Sequence, residues 1–360
     1  MGLEDLYINL GFDSAQYKAE DRQILQFSLI NDSNETMYVL KWDTPFDGFN
    51  NDMFRVTKDG TQAVYMGRIV KRGPPQPDDY ITIPPKDSVS VNVDLSEAYD
   101  INEAGSYSVE FKAPILDAGT VKPDVRAREM AISPELTPIR VSSNVASFEL
   151  LESRSPRQLN GIAMDMVAKV QAAAVGRLAP NFNNCPIDRQ NELNDALAEA
   201  IRIALESKTA LMDTLEDQRP SAIRCSTWFG IYDKQRYDKI TDNFDKIWDA
   251  LENRGITFYC DCDENIYAYV YPTRPYEIFL CKLFWRAPLT GTDSRSGTIV
   301  HEVSHFNVVA GTDDYVYGHP NCQRLAIENP SDAIANADTH EYFAENNPPL
   351  TMGTNAEPSA

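Results

Sequence analysis

The stretch HEVSHFNVVAGTDDYVYG, residues 301–318, decides how the second half of this chain is read. On a helix, His301 and His305 stand four residues apart and share one face. Two imidazoles so placed can hold one Zn2+, and Glu302 projects beside the metal to act on its bound water. A catalytic zinc site takes three protein ligands and keeps a fourth position open, so a third ligand is required. An extended histidine pattern would place it at position 311, which is Gly311. The residues leave several candidates: Asp314, just past the Gly311-Thr312 turn, Glu328 or Glu341 on a following helix, and His319. All four histidines, His301, His305, His319 and His340, lie beyond residue 300. The segment SGTIVHEVSHFNVVAG, 296–311, is expected to form one helix capped at Gly311, with Val300, Val303 and Phe306 packing its other side.

Working outward, ENIYAYVYP (264–272) alternates strictly and reads as a strand. Its Tyr267, Tyr269 and Tyr271 take one face, and an extended peptide could lie against it. Residues 188–215 and 232–251 carry the amphipathic period of long helices. NGIAMDMVAKVQAAAVGRL (160–178) is helix-like, with Ser155-Pro156 as its start signal. The first part differs. RQILQFSLIND (22–32), TMYVLKW (36–42), SVSVNVDL (88–95) and SYSVEFKA (106–113) read as strands, separated by turn signals such as KDGT and RGPPQPDD. The expected organisation is an all-β, immunoglobulin-like sandwich over 1–152, a helical linker over 153–180, and an α+β, mainly helical domain over 181–360.

The 360 residues suffice for two such domains. With 54 acidic against 33 basic residues the net charge is -21, which argues against nucleic acid and anionic membranes as partners. No apolar run is long enough to span a bilayer. The opening MGLEDLYINL lacks the features of a secretory leader, and Met1-Gly2 is read as a start that replaced one. Six cysteines, Cys185, Cys225, Cys260, Cys262, Cys281 and Cys322, all fall in the second half, the pattern of disulfides in a secreted domain. Cys260 and Cys262 are too close to pair with each other without strain.

HEVSH followed by GTDDYVYG resembles the signature of the aspzincin metalloendopeptidases, matching it at Gly311, Thr312, Asp314, Tyr317 and Gly318. The resemblance implies a zincin-like catalytic domain with one Zn2+ held by His301, His305 and Asp314. It makes Glu302 the general base and Tyr317 an oxyanion stabiliser. TWFG (227–230), AYVYP (268–272), FWRAPLTGTDSRSGTIVHE (284–302) and NADTHEYFAENNP (336–348) are similar to the peptidyl-Lys branch, which cuts on the amino side of lysine. By that likeness Asp338 and Glu341 form the lysine pocket. Disulfides Cys185–Cys260 and Cys262–Cys281 are implied too. Cys225 and Cys322 lie where that branch has no cysteine, and a third bridge between them is expected. The catalytic domain itself carries few lysines, Lys208, Lys234, Lys239, Lys246 and Lys282, which suits a lysine-directed protease.

Secreted aspzincins are made with propeptides, so the first half is read as an intramolecular inhibitor. Lys71 or Arg72 of IVKRGPP (69–75) is the expected occupant of the acidic pocket. Maturation is expected at Ala168–Lys169, or near Arg177 by another protease. The implied protein is a secreted, monomeric precursor of a zinc endopeptidase acting on proteins or peptides. The alternatives are a deuterolysin-like enzyme of broader specificity and a binding or adhesion module on the same fold.

Overall fold

The computed structural model describes residues 5–123, 136–154 and 178–352. Two compact units emerge: Met1–Arg68 with Pro74–Ala168, and Ile69–Gly73 with Lys169–Ala360. The helix expected from residue 160, both maturation sites (Ala168–Lys169 and the vicinity of Arg177) and the polar tail from 353 fall outside the described residues, apart from the helix's last residue, Leu178. Among the described residues no helix is long and apolar enough to cross a membrane.

The first unit is β-rich. Its strands are β1 (Leu6–Phe12), β2 (Gln16–Tyr17), β3 (Ile24–Asn31), β4 (Met37–Leu40), β5 (Phe54–Lys58), β6 (Thr61–Gln62), β8 (Tyr80–Ile83), β9 (Asp87–Asp94), β10 (Gly105–Phe111), β11 (Ala118–Gly119) and β12 (Ala146–Leu150). They form three sheets, ordered β1-β3-β9, β2-β12-β10-β5-β6 and β11-β4-β8. The four strands expected from alternation appear as β3, β4, β9 and β10. In β3, Leu25, Phe27 and Leu29 all point inward, opposite Val93, Val91 and Val89 of antiparallel β9. Period-two alternation sends every second side chain to the same face, so one buried residue commits the others. Phe27, Phe54 and Phe111 meet with ring centroids 5.3–6.4 Å apart and form the centre of this core.

The second unit is mainly helical around one sheet. β13 (Asn181–Asn183), β14 (Thr257–Tyr259) and β16 (Glu277–Leu280) run parallel; β15 (Ala268–Val270) is antiparallel to β16. The last strand is β7 (Ile69–Lys71), antiparallel to β15. Its residues come from the first part of the sequence but belong to this unit. The helices are α1 (Ile187–Asp213), α2 (Ile223–Phe229), α3 (Lys234–Asn253), α4 (Arg295–Ser304), α5 (His319–Glu328), α6 (Pro330–Ala333) and α7 (Ala337–Glu345). α1 buries Leu193, Leu197, Ala200, Ala204 and Leu211, and α3 buries Tyr237, Ile240, Phe244, Ile247 and Leu251. That three-four spacing is the apolar stripe of helices that cover a core.

Both disulfides implied by the resemblance are formed. Cys185 and Cys260 each follow a strand of the in-register β13–β14 pair, which leaves their Cα atoms 5.0 Å apart. Cys262 and Cys281 stand 4.7 Å apart. Each closed loop restricts the unfolded chain, an effect of about 2–4 kcal/mol. The expected third bridge is absent: Cys225 and Cys322 are both free and buried. Cys225 packs on the Met352 thioether at 3.8 Å, while Cys322 accepts from Asn336 Nδ2 at 3.5 Å. An even cysteine count does not bring two thiols together.

The zinc-pattern helix is also shorter than expected. α4 ends at Ser304, not at Gly311. Here the backbone tightens to three-residue bonds, His305 N to Glu302 O and Phe306 N to Val303 O, while Ser304 Oγ donates to His301 O. Gly311 does take a left-handed conformation, φ +61°, but it ends a turn rather than the helix.

α4 and α7 cross closely at Gly297. A Cβ there would lie 2.1 Å from Glu345 Oε1. Glu345 cannot readily withdraw, because it accepts from Ser294 N, Ser294 Oγ and Asp293 N. Gly297→Ala is therefore expected to cost about 1–3 kcal/mol, read as a lower denaturation midpoint.

Candidate active site

Ser294 caps α4 by accepting from Gly297 N at 2.9 Å, and the helix is buried from Ser296 to its end. His301 and His305 lie on its inner face with ring centroids 4.8 Å apart. The chain then reverses at Gly311. Thr312 returns to the helix end: its N–H donates to Ser304 O, its hydroxyl pairs with Ser304 Oγ at 2.6 Å, and its carbonyl faces His305 Nδ1 at 2.8 Å. This reversal delivers Asp314. Its Oδ1 lies 3.3 Å from His301 Nε2 and 3.7 Å from His305 Nε2. A zinc tetrahedron with bonds of about 2.0–2.1 Å has edges near 3.3 Å, so the spacing suits one ion.

The electrostatics point the same way. With Nδ1 donating to Thr312 O, His305 keeps a bare lone pair on Nε2, and that buried atom has no hydrogen-bond partner. Burial pushes the His305 pKa down to about 4, so its ring is neutral at pH 7. A neutral nitrogen lone pair and a carboxylate then face each other in a dry site, an arrangement that calls for a cation. For His301 burial opposes protonation, but the Asp314 charge overrides it and holds the pKa well above the ordinary value. A proton there occupies the position that a metal would fill. These residues fit zinc.

Glu302 is fully buried, and neither carboxylate oxygen has a hydrogen-bond partner. Burial, with Asp314 and Glu341 nearby, pushes its pKa up to about 8. A carboxylate poised near neutrality suits a proton carrier. Tyr317 places its hydroxyl 3.1 Å from Asp314 Oδ2 and 3.1 Å from Val70 O.

The other third-ligand candidates are placed elsewhere. Glu328 is exposed. His319 packs edge-on against Trp228 and Tyr342. His340 is a core residue, paired with Asn336 O and Asn243 Nδ2. Glu341 meets His301 at the opposite ring nitrogen: Nδ1 lies 3.2 Å from Glu341 Oε2 and 3.0 Å from Asp338 Oδ1.

Asp338 and Glu341 sit one turn apart on α7 and converge on one ammonium group. Lys71 Nζ lies 3.0 Å from Asp338 Oδ1 and 2.5 Å from Glu341 Oε2, with the Lys71 side chain 2% exposed. Desolvation alone would lower the Lys71 pKa, but the carboxylates hold it well above normal. Asp338 also accepts from Gly318 N and Tyr342 OH. Burial would raise its pKa, yet the Lys71 charge and His301 hold it below the usual carboxylate range.

Two residues escaped the sequence reading. Asn336 Oδ1 accepts from Tyr315 N and Val316 N, and its Nδ2 donates to Thr339 Oγ1. It thereby ties the Asp314–Tyr317 loop to the start of α7. Asp293 brings a third carboxylate to the pocket, 4.0 Å from Lys71 Nζ, and accepts from Tyr342 OH at 2.8 Å. Both lie inside quoted motifs, NADTHEYF and TGTDSRSGT, where nothing in one sequence sets them apart from their neighbours.

The chain is similar to several known proteins. The aspzincin family profile, described as lysine-specific metallo-endopeptidase, matches residues 214–345. An extracellular protease from Aeromonas hydrophila is 36% identical over 329 residues, 90% of this chain and 88% of the relative. A peptidyl-Lys metalloendopeptidase from Armillaria mellea is 33% identical over 309 residues, 83% of this chain and 80% of the relative. Among solved structures, a zinc peptidase from Grifola frondosa is 38% identical with a TM-score of 0.44, covering 46% of this chain and all of that one. A zinc-spaced donor set on a helix-and-turn signature, together with relatives this similar over most of their length, places the chain in the aspzincin family of zinc metalloendopeptidases.

Proposed function

We propose that this is a secreted endopeptidase precursor that hydrolyses peptide bonds on the amino side of lysine and is blocked by its own Lys71. The observation that carries the reading is the Lys71 ammonium, buried between Asp338 and Glu341 and one side chain away from the His301–His305–Asp314 cluster. A desolvated ammonium needs charge compensation on this scale, and a solvated acidic face would not supply it. The two disulfides, and a relative named as an extracellular protease, support secretion. The first unit is read as an immunoglobulin-like β-sandwich propeptide, and Ala168–Lys169 as its junction.

Zinc, held through His301 Nε2, His305 Nε2 and Asp314, would supply a Lewis acid that polarises the scissile carbonyl and activates water. The chain's residues do the rest. β15 pairs with the extended substrate, as it pairs with β7. Asp338 and Glu341 bind the lysine that follows the scissile bond. Tyr317 OH donates to the carbonyl oxygen of the residue before it. Glu302 takes the proton of the attacking water and passes it to the leaving amine.

A tethered lysine competes at an effective concentration on the order of mM, so it keeps the pocket filled. Lys71→Ala in the full chain is expected to raise the initial rate of cleavage of an added lysine-containing protein by at least ~10-fold over the intact parent chain, since that tethered competitor is gone. Mass spectrometry of the digest should find new amino termini that begin with lysine and disappear with a chelator. Termini without a lysine rule would favour broader specificity and sink this reading.

A further inference from the structure

Residues Ile69–Gly73 do more than insert a lysine, because their backbone lies in the site in register. Ile69 pairs with Val270, Val70 with Tyr269 and Lys71 with Ala268 across the antiparallel β7–β15 ladder. Lys71 O accepts from Tyr267 N at 3.0 Å. The Val70 side chain, 1% exposed, packs in its own apolar cluster with Ile266 and Cys281, flanked by Cys262 and Tyr269. The Val70 carbonyl is the group that Tyr317 OH reaches at 3.1 Å. So the residue before the lysine has a filled side-chain site, its carbonyl is met by a hydroxyl donor, and the lysine itself is held by two carboxylates. A blocking side chain needs only the last of these.

We infer that Val70–Lys71 is a self-processing bond, seated in the chain's own active site in the substrate direction. The inference rests on the lysine-directed reading above. Water adds to the Val70 carbonyl carbon, and the bond from that carbon to the Lys71 nitrogen breaks. Glu302 moves one proton of the water to that nitrogen, and the second follows as the new acid ionises, leaving a Val70 carboxylate and a Lys71 α-ammonium. The cut leaves Lys71 attached on one side only, so the lysine can depart from the pocket while the disulfide-linked fold stays intact.

The test uses the full chain loaded with zinc, incubated, denatured and reduced, with intact masses and amino-terminal sequences read over time. The expected result is a pair of fragments, one ending at Val70 and one beginning Lys71-Arg72-Gly73. Their rate of appearance should be independent of chain concentration, and Glu302→Gln or Lys71→Ala should abolish them. A Val70–Lys71 bond that stays whole while the Lys71→Ala chain cuts an added peptide at lysine overturns the inference and leaves the lysine reading standing. So does a cut confined to Ala168–Lys169. A rate that rises in proportion to concentration overturns it too, because the geometry places the bond in its own site. A Lys71→Ala chain that cuts no lysine peptide removes the reading and this inference with it. Amide exchange adds a readout that needs no turnover. In Glu302→Gln the Tyr267 amide should be protected by Lys71 O, and adding Lys71→Ala should release it; unchanged protection counts against substrate-like seating.

Discussion

Replacing Glu302 with Gln is expected to lower kcat on a lysine-containing peptide by roughly 10²–10⁴ while leaving the zinc content at one ion per chain. The substitution keeps the shape of the side chain and removes only its capacity to carry a proton. In the fold both Glu302 oxygens are buried without hydrogen-bond partners, so no structural bond is lost. Burial foremost pushes the carboxyl up to about 8, where it can accept a proton from water and release it to an amine near neutral pH. The measurement is best made in the Lys71→Ala chain, which under the proposed function leaves the pocket open to added peptide. Metal analysis alongside separates loss of the base from loss of the ion. Activity within tenfold of the parent would show that another group carries the proton.

The second large effect concerns the pocket. Asp338→Asn in the same background is expected to lower kcat/KM for lysine peptides by roughly 10²–10⁴, the equivalent of about 3–5 kcal/mol for a buried charge deprived of its partner. Asp338 is the more firmly ionised of the two acids. Burial works against its charge, but Lys71, His301 and the Gly318 N–H hold its pKa down, whereas burial and the Asp338 charge push Glu341 up. Asparagine can still accept from Gly318 N and Tyr342 OH, so the α7 contacts survive. The loss should therefore fall on lysine peptides and spare slow cleavage of peptides with alanine at that position. An equal loss on both would assign Asp338 to the support of His301, whose Nδ1 it approaches at 3.0 Å.

How much of the site could be read from the chain alone follows from distance along the sequence. His301, Glu302 and His305 lie within five residues, and helical geometry relates them before any tertiary contact forms. Asp314 follows through one turn and stands among several candidates on spacing alone; the resemblance to the aspzincin signature singles it out and supplies Tyr317. Lys71, Asp338 and Glu341 were named from a pocket chemistry and a motif, without any means of showing that they meet. Asn336 and Asp293 escape a reading of the sequence because their partners, the Asp314–Tyr317 loop for one and Lys71 and Tyr342 for the other, meet them only in the folded chain. The Cys225–Cys322 bridge failed for the same reason in reverse: parity says nothing of separation.

By itself the sequence determined the elements whose signals are local. These are the alternating strands of the first unit, the three-four stripes of α1 and α3, and the shared face of His301 and His305 on α4, because each is set by spacing within a few residues. The tertiary structure decided what depends on return of the chain. Thr312 folding back on Ser304 stops α4 early and aims Asp314, and Gly297 lets α7 approach until its carboxylates stand beside His301. β7 then completes the sheet at β15 and buries a lysine 267 residues before its aspartate partner, 3.0 Å from it. Such contacts join groups far apart in sequence, and only the packed core, which fixes helices and sheet at van der Waals distance, sets where they meet.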